Sequence, residues 1–422
     1  MNKRSFLKGL AIAGLTAPLS GSAMAKWVNQ FDAYPAAALA GNEEFWTGIR
    51  NGYKLKPNYI NLENGYYNFL PEPLLEHFIG HVREVNYQGS YYMRTVQFDN
   101  KKNIAASLAV IAGCSADELV ITRNTTESLD IIIGGFHWLA GDEAIMAQQD
   151  YGSMLEMFKL VAKRYGVVNK IVSVPNHPSS DEEIVNLYAD AITGKTKLLM
   201  ISHMINITGQ ILPVRKICDM AHSKGVDVMV DGAHAFAHIQ YKIADLHCDY
   251  YGASLHKWLS APLGTGMLYV KKENIHKIWP LLAEGERNEN DISRLNHVGT
   301  HPAHTDLAIV NAIDYYNMIG ADKKEARLLF LQKYWTDKVR NIPGVVVNTP
   351  VDRARACGIA NVGIKGMKPA MLAETLLKKY NIYTVAIDYA NVQGCRITPN
   401  LYTMPGELDV LVKALAEMAH TT

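Results

Sequence analysis

The stretch Asp249 to Val270, DYYGASLHKWLSAPLGTGMLYV, sets one lysine between two short apolar runs. The runs read as buried strands. Ser254-Leu255-His256-Lys257-Trp258 follows the first, and a Gly-rich turn at Gly264 to Gly266 precedes the second. Burial penalises the charged form of a lysine, so the pKa of Lys257 falls and its amine becomes nucleophilic. A Schiff base with an aldehyde cofactor requires such an amine. The competing reading is a solvated lysine in a surface loop, the commoner fate of a lone lysine.

Other apolar runs end in polar residues in the same way. Glu118 to Thr122 leads into Arg123-Asn124-Thr125-Thr126-Glu127-Ser128, and an apolar helix runs on from Leu129. Asn124 with Glu127 three residues on is a capping-box arrangement. The free N–H groups of such a helix start, with threonine hydroxyls beside them, suit a phosphate; plain helix capping fits equally. Asp142 to Ala147 leads to Gln148-Gln149-Asp150-Tyr151, and a strand at Lys170 to Val174 follows. Lys197 to His203 delivers Met204-Ile205-Asn206, and Val226 to Val230 delivers Asp231-Gly232-Ala233-His234. Asp231 precedes Lys257 by one strand–helix–strand step, and ligands bind at strand ends in open parallel sheets. His234 and His238 have HxxxH spacing, but there is no zincin glutamate and no third ligand nearby, so a metal pair is disfavoured. A metal cluster of His297, His301 and His304 is disfavoured too, because Gly299 and Pro302 interrupt any single helical face. No metal is expected.

The Lys257 segment, with Gly264-Thr265-Gly266-Met267-Leu268-Tyr269-Val270 after it, resembles the Schiff-base region of fold-type I pyridoxal 5'-phosphate (PLP) enzymes. It is most similar to the class V aminotransferase family in its isopenicillin N epimerase-like branch. The resemblance runs from about Tyr59 to the C-terminus. It implies an α/β fold, with a mostly parallel seven-stranded sheet in a large domain and a smaller α+β C-terminal domain. It implies PLP as cofactor and Lys257 as catalytic residue. Thr125, Thr126, Ser254 and His256 fall where relatives hold the phosphate. Asp231 faces the ring nitrogen and keeps it protonated, which makes the ring an electron sink. His234 and Asn206 fall beside the ring hydroxyl, Asn206 alternatively at the substrate carboxylate. Tyr151 takes the place over the open ring face where many relatives carry histidine. Thr300, in Gly299-Thr300-His301, falls on a loop that reaches a neighbouring subunit's phosphate, which implies a homodimer with shared active sites.

On the substrate side the resemblance points to Arg396, whose fork suits an α-carboxylate; a structural ion pair is the alternative. It also points to Tyr66, on an N-terminal loop that enters the site, and to Tyr92, in the cluster Ser90 to Arg94. Packing, or for Tyr92 a subunit interface, would explain these tyrosines as well.

The expected organisation is an export signal over 1–25, an N-terminal segment over 26–65 that packs on the small domain, a large PLP-binding domain over 66–305 and a small domain over 306–422. Lys3 and Arg4, the apolar run from Leu10 to Leu15, and Ala23-Met24-Ala25 resemble a twin-arginine signal, although Lys3 stands where the first arginine is usual. A Sec-type signal is the alternative. A periplasmic location is expected, and the apolar run is too short and too broken for a membrane anchor.

Basic and acidic residues number 42 and 41, which gives no ground for a nucleic-acid or membrane-surface partner. A small amino-acid-type substrate is expected. The five cysteines are widely spaced, with no CxxC pair, so neither a disulfide scaffold nor a zinc knuckle is expected. A cysteine desulfurase carries its thiol on a loop ahead of the carboxylate-binding arginine. Tyr380 to Gly394 holds no cysteine, and Cys395 should point away from Arg396 on a strand. The resemblance therefore implies chemistry at the α-carbon, as an epimerase or an aminotransferase. Tailoring of a secreted metabolite such as a siderophore, as exported relatives of this branch perform, is the alternative, and a PLP-binding protein without turnover is a further one.

Overall fold

The computed structural model describes residues 21–421 apart from 284 and 286. The large domain is built on seven strands: β1 (Leu119–Thr122), β2 (Glu143–Ala147), β3 (Val168–Val172), β4 (Thr196–Ser202), β5 (Asp227–Asp231), β6 (Tyr250–Ser254) and β7 (Gly266–Val270). Their order is β1-β7-β6-β5-β4-β2-β3, and β7 alone runs against the rest. This is the expected fold-type I sheet.

Strands β4 to β6 are apolar on both faces because both faces are covered. Leu198, Met200, Met229 and Tyr250 join one apolar cluster; Leu199, Ile201, Val228, Val230 and Tyr251 join the other. The edge strand β3 is half-exposed and carries Lys170, paired with Glu143 at 2.8 Å. It begins two residues before its expected start at Lys170, because Glu143 at the start of β2 aligns with Val168. Helix α1 (Thr125–Gly135) leaves the end of β1. Gly266 lets β7 pass that helix start, since a Cβ there would lie 2.6 Å from the Asn124 backbone. The parallel strands all end at one sheet edge, which gathers the residues after Thr122, Ser202, Asp231 and Ser254.

The long helices α2 (Ala303–Ile319) and α3 (Ala321–Val339) lead to the small domain. Its antiparallel sheet has the order β10-β11-β9-β8, from β8 (Val345–Val347), β9 (Ala360–Ile364), β10 (Val385–Tyr389) and β11 (Val392–Ile397). Helices Pro369–Tyr380 and Pro405–Thr421 begin at the expected prolines and bury Leu372, Leu376, Leu408 and Leu411 against it. The β10–β11 hairpin was not expected. Its turn residues Ala390 and Asn391 have φ of 54° and 61°, a conformation that sequences usually announce with Asn-Gly or Asp-Gly.

The N-terminal segment forms short helices whose Met24, Val28, Phe45, Trp46 and Ile49 join the large-domain core. It reaches the small domain through Arg50, bonded to Glu407 at 2.6 Å. The export-signal reading falls on residues 1–25, of which 1–20 lie outside the described residues. Cleavage after Ala25 would remove Met24 from its core position.

Arg327 of α3 joins the N-terminal segment to the chain beyond the small sheet. Fully buried, it donates to the carbonyls of Ala40 and Thr403 at 3.0 Å each and pairs with Glu43 at 2.9 Å. Arg327→Ala leaves two carbonyls without this donor and opens a cavity beside Trp46. Because Glu43 is partly exposed, we expect a loss of about 3 kcal/mol rather than the full cost of breaking a buried pair, read by urea unfolding.

Candidate active site

Lys257 lies three residues beyond the end of β6, where the chain leaves the sheet. Its Nζ is 3.1 Å from Nε2 of His234. Its pKa is pushed down to about 8, first by burial and then by Arg396, against the pull of Asp231 and Glu63. Half-buried and in contact with His234, this lysine is not a freely solvated loop side chain. Asn68, on the N-terminal loop, donates to the Lys257 carbonyl with its side chain and to the His256 carbonyl with its backbone N–H at 3.2 Å. That loop thus enters the site as expected, through Asn68.

Asp231 ends β5, buried, with Oδ1 accepting from the Ala233 N–H at 2.9 Å. Burial raises its pKa; the Ala233 N–H and Lys257 oppose the rise. His234 follows on the same turn. Trp258 Nε1 lies 3.3 Å from its Nδ1. Indole can only donate, so Nδ1 accepts and the ring proton sits on Nε2, where it can donate to the Lys257 amine once that amine is unprotonated. Burial and the cations Lys257 and Arg396 keep His234 neutral by lowering its pKa. The HxxxH pair is engaged elsewhere: His238 bonds the His234 carbonyl through Nδ1 at 2.8 Å and accepts from the Gly358 N–H through Nε2 at 2.9 Å. Among the described residues no group of three or more His, Cys, Asp or Glu is placed to hold a metal.

The start of α1 faces this cluster. Ser254 Oγ accepts from the Thr125 N–H at 2.9 Å and lies 2.8 Å from the Thr125 hydroxyl. Asn124 caps the helix, its side chain accepting from the Glu127 N–H at 2.9 Å. The capping box closes one residue early: the Glu127 carboxylate takes the Arg123 N–H at 2.6 Å, not that of Asn124. The helix starts at Thr125, directly after that cap. Thr126 is half-buried in the same turn. His256 Nδ1 is buried with no partner, and its pKa is lowered to about 4, mainly by burial. A helix start with Thr125, met by the Ser254 hydroxyl, fits a phosphate group, and His256 two residues beyond Ser254 offers a further buried nitrogen. An amine, a carboxylate and this seat along one sheet edge fit the donor set PLP needs.

On the substrate side Arg396 lies on β11, and its Nη1 donates to the Asn206 carbonyl at 3.3 Å. Its Nε and Nη2 bond both oxygens of Glu63, at 3.2 and 2.5 Å. The ion pair weighed as an alternative is therefore present. Glu63 was not singled out in the sequence, because one acid in a polar loop gives no signal until its partner is placed. Tyr389, at the end of β10, was also missed with its hairpin; its hydroxyl lies beside the Asn206 side chain, near Tyr151 and Arg396. Tyr151 caps the next helix, and Tyr66 donates its N–H to Glu63. All three tyrosine rings are substantially exposed.

Two candidates make no hydrogen bond to this cluster in the single described chain. Tyr92 is buried in a π-helical turn, its hydroxyl accepting from Asn100 at 3.3 Å. Thr300 is exposed in the loop before α2. A surface cavity of about 850 Å³, lined by Arg50, Lys54, Tyr380 and Glu407, does not include Lys257. Chemistry, not size, places the site.

The fold and this lysine–aspartate–histidine edge define the class first: a fold-type I architecture. The profile of the aminotransferase class-V family matches residues 77–386, and the chain belongs to that family. Isopenicillin N epimerase of Amycolatopsis lactamdurans is 25% identical over 396 residues, which cover 89% of this chain and 98% of that protein. A probable cysteine desulfurase of Halobacterium salinarum is 26% identical over 387 residues, 85% of this chain and 91% of that one. Among solved structures, a cysteine desulfurase from Thermococcus onnurineus NA1 superposes with a TM-score of 0.79 at 20% identity, covering 89% of this chain and 98% of that chain.

Proposed function

We propose that the protein is a PLP-dependent enzyme acting at the α-carbon of an amino-acid-type substrate, with Lys257 as covalent anchor and proton carrier. The observation that carries this is the half-buried Lys257, its amine 3.1 Å from a neutral His234 and electrostatically coupled to Asp231. Bound there, PLP supplies an electron sink for the bond broken at the α-carbon. Thr125, Ser254 and His256 would hold its phosphate, Asp231 would keep the ring nitrogen protonated, and His234 would donate its Nε2–H to the ring hydroxyl. Lys257 moves the α-proton, and its lowered pKa suits that work near neutral pH. A homodimer completed by the exposed Thr300 loop, and export through residues 1–25, belong to the same proposal.

NMR in heavy water with a panel of amino acids tests the reading and divides it. Exchange of the α-proton with the amino group retained supports an epimerase. Formation of a keto product supports an aminotransferase. A preparation without the visible absorbance of lysine-bound cofactor refutes both.

The comparisons include desulfurases, and the buried thiols argue against that activity here. Cys395 packs in the small-domain cluster with Sγ 3.7 Å from the Pro369 carbonyl, and burial pushes its pKa up to about 12. A thiolate nucleophile needs the opposite environment. Cys395→Ala should leave turnover within about twofold of wild type, and neither protein should release sulfur from cysteine in a sulfide assay.

A further inference from the structure

Arg396 is already held on three of its five N–H groups, and its charge is matched by Glu63. Nε and Nη2 are taken by Glu63 and Nη1 by the Asn206 carbonyl. The pair is almost wholly buried, with side-chain exposures of 9% and 7%. Glu63 is also fixed from behind. Its Oε1 accepts from the Tyr66 N–H at 3.0 Å. Its backbone bridges Thr398, whose hydroxyl accepts from the Asn64 and Gly65 N–H groups, the latter at 3.1 Å. Gly65 makes the room: a Cβ there would lie 2.9 Å from the Arg396 guanidinium carbon. The chain has thus built a neutral, hydrogen-bonded end to its site.

We propose that Glu63 is a specificity-determining residue which turns this end from a carboxylate receptor into a receptor for neutral amides. The proposal rests on the function given above and names its substrate class: amines whose α-carbon carries a carboxamide or peptide bond. A free carboxylate would either sit beside Glu63 uncompensated or displace it, leaving a buried anion without its partner. An amide adds no charge, and its carbonyl and N–H can meet Arg396 and Glu63 respectively. The exposed rings of Tyr66, Tyr151 and Tyr389 at this mouth are apolar surface with polar tips, suited to a chain that continues beyond that amide.

The test uses the purified holoenzyme and the change in its visible cofactor absorbance on titration with matched pairs: alanine and alaninamide, phenylalanine and phenylalaninamide. For wild type we expect amides to act at concentrations at least tenfold lower than the acids. In Glu63→Gln, which keeps the size and a hydrogen-bonding group, free acids should gain at least tenfold and the preference should vanish or invert. An amide response no greater than that of the acids, including no response to either, overturns the proposal. So does an unchanged preference in Glu63→Gln. Absence of the cofactor band from wild type is a different failure: it refutes the functional reading on which the proposal rests.

Discussion

Lys257→Ala should abolish turnover, by at least ~10⁴-fold, without unfolding the chain, as expected when the nucleophile of a covalent mechanism is removed. The side chain is no structural anchor: its amine has His234 at 3.1 Å, and the segment is tied instead by Asn68 to the carbonyls of Lys257 and His256. The folded chain works to keep this amine there. Its pKa of about 8 lies below the ordinary 10.5, mainly because burial disfavours the ammonium. Between those values the unfolded chain binds the proton more readily than the folded one. Stability of the cofactor-free protein therefore rises with pH from about 8 to about 10.5, and below 8 the penalty is full. Lys257→Met, which keeps the apolar stem, should make cofactor-free protein more stable at pH 7 by at most ~3 kcal/mol and should lose this pH dependence. Thermal unfolding across pH decides it. A variant equally inactive but less stable at neutral pH would make Lys257 a structural residue.

The parts of this site carried by apolar strands were legible in the sequence. Strands β4, β5 and β6 are continuous apolar runs, and the polar residues that end them, with Asp231 and Lys257 among them, stand at one sheet edge because parallel strands all finish on the same side. The Thr125 helix start was legible through Asn124, since a cap is a local interaction. Contacts that depend on two distant segments meeting were not. Glu63 and Arg396 are 333 residues apart and pair through a bridge between a loop and β11. Tyr389 needed a hairpin whose turn residue Ala390 gives no signal. Tyr92, placed by likeness alone, lies in a packed helical turn, where the local pattern of tyrosines is the same as on a binding loop.

Asp231→Asn should keep the fold and lower turnover by ~10²–10³-fold, the range for losing one preorganised electrostatic contact. Asparagine retains an oxygen for the Ala233 N–H, so the turn that carries His234 has no reason to move. What is lost is the charge. On the proposed function a neutral amide would not keep the ring nitrogen protonated, and negative charge developing as Lys257 takes the α-proton would be less well stabilised. The visible cofactor band should persist, because Lys257, Thr125, Ser254 and His256 are untouched. Asp150 supplies the control. It is also buried, near Asp231, and burial pushes its pKa up to about 7. Its oxygens are spent on the Ala147 N–H at 2.7 Å and the Ser202 hydroxyl at 2.8 Å. Asp150→Asn should therefore shift stability and leave turnover within a few fold. If both variants lost the same activity, the effect would belong to the shared field of two buried carboxylates. If only Asp231→Asn fails while its cofactor stays bound, the charge at the end of β5 acts on the reacting centre.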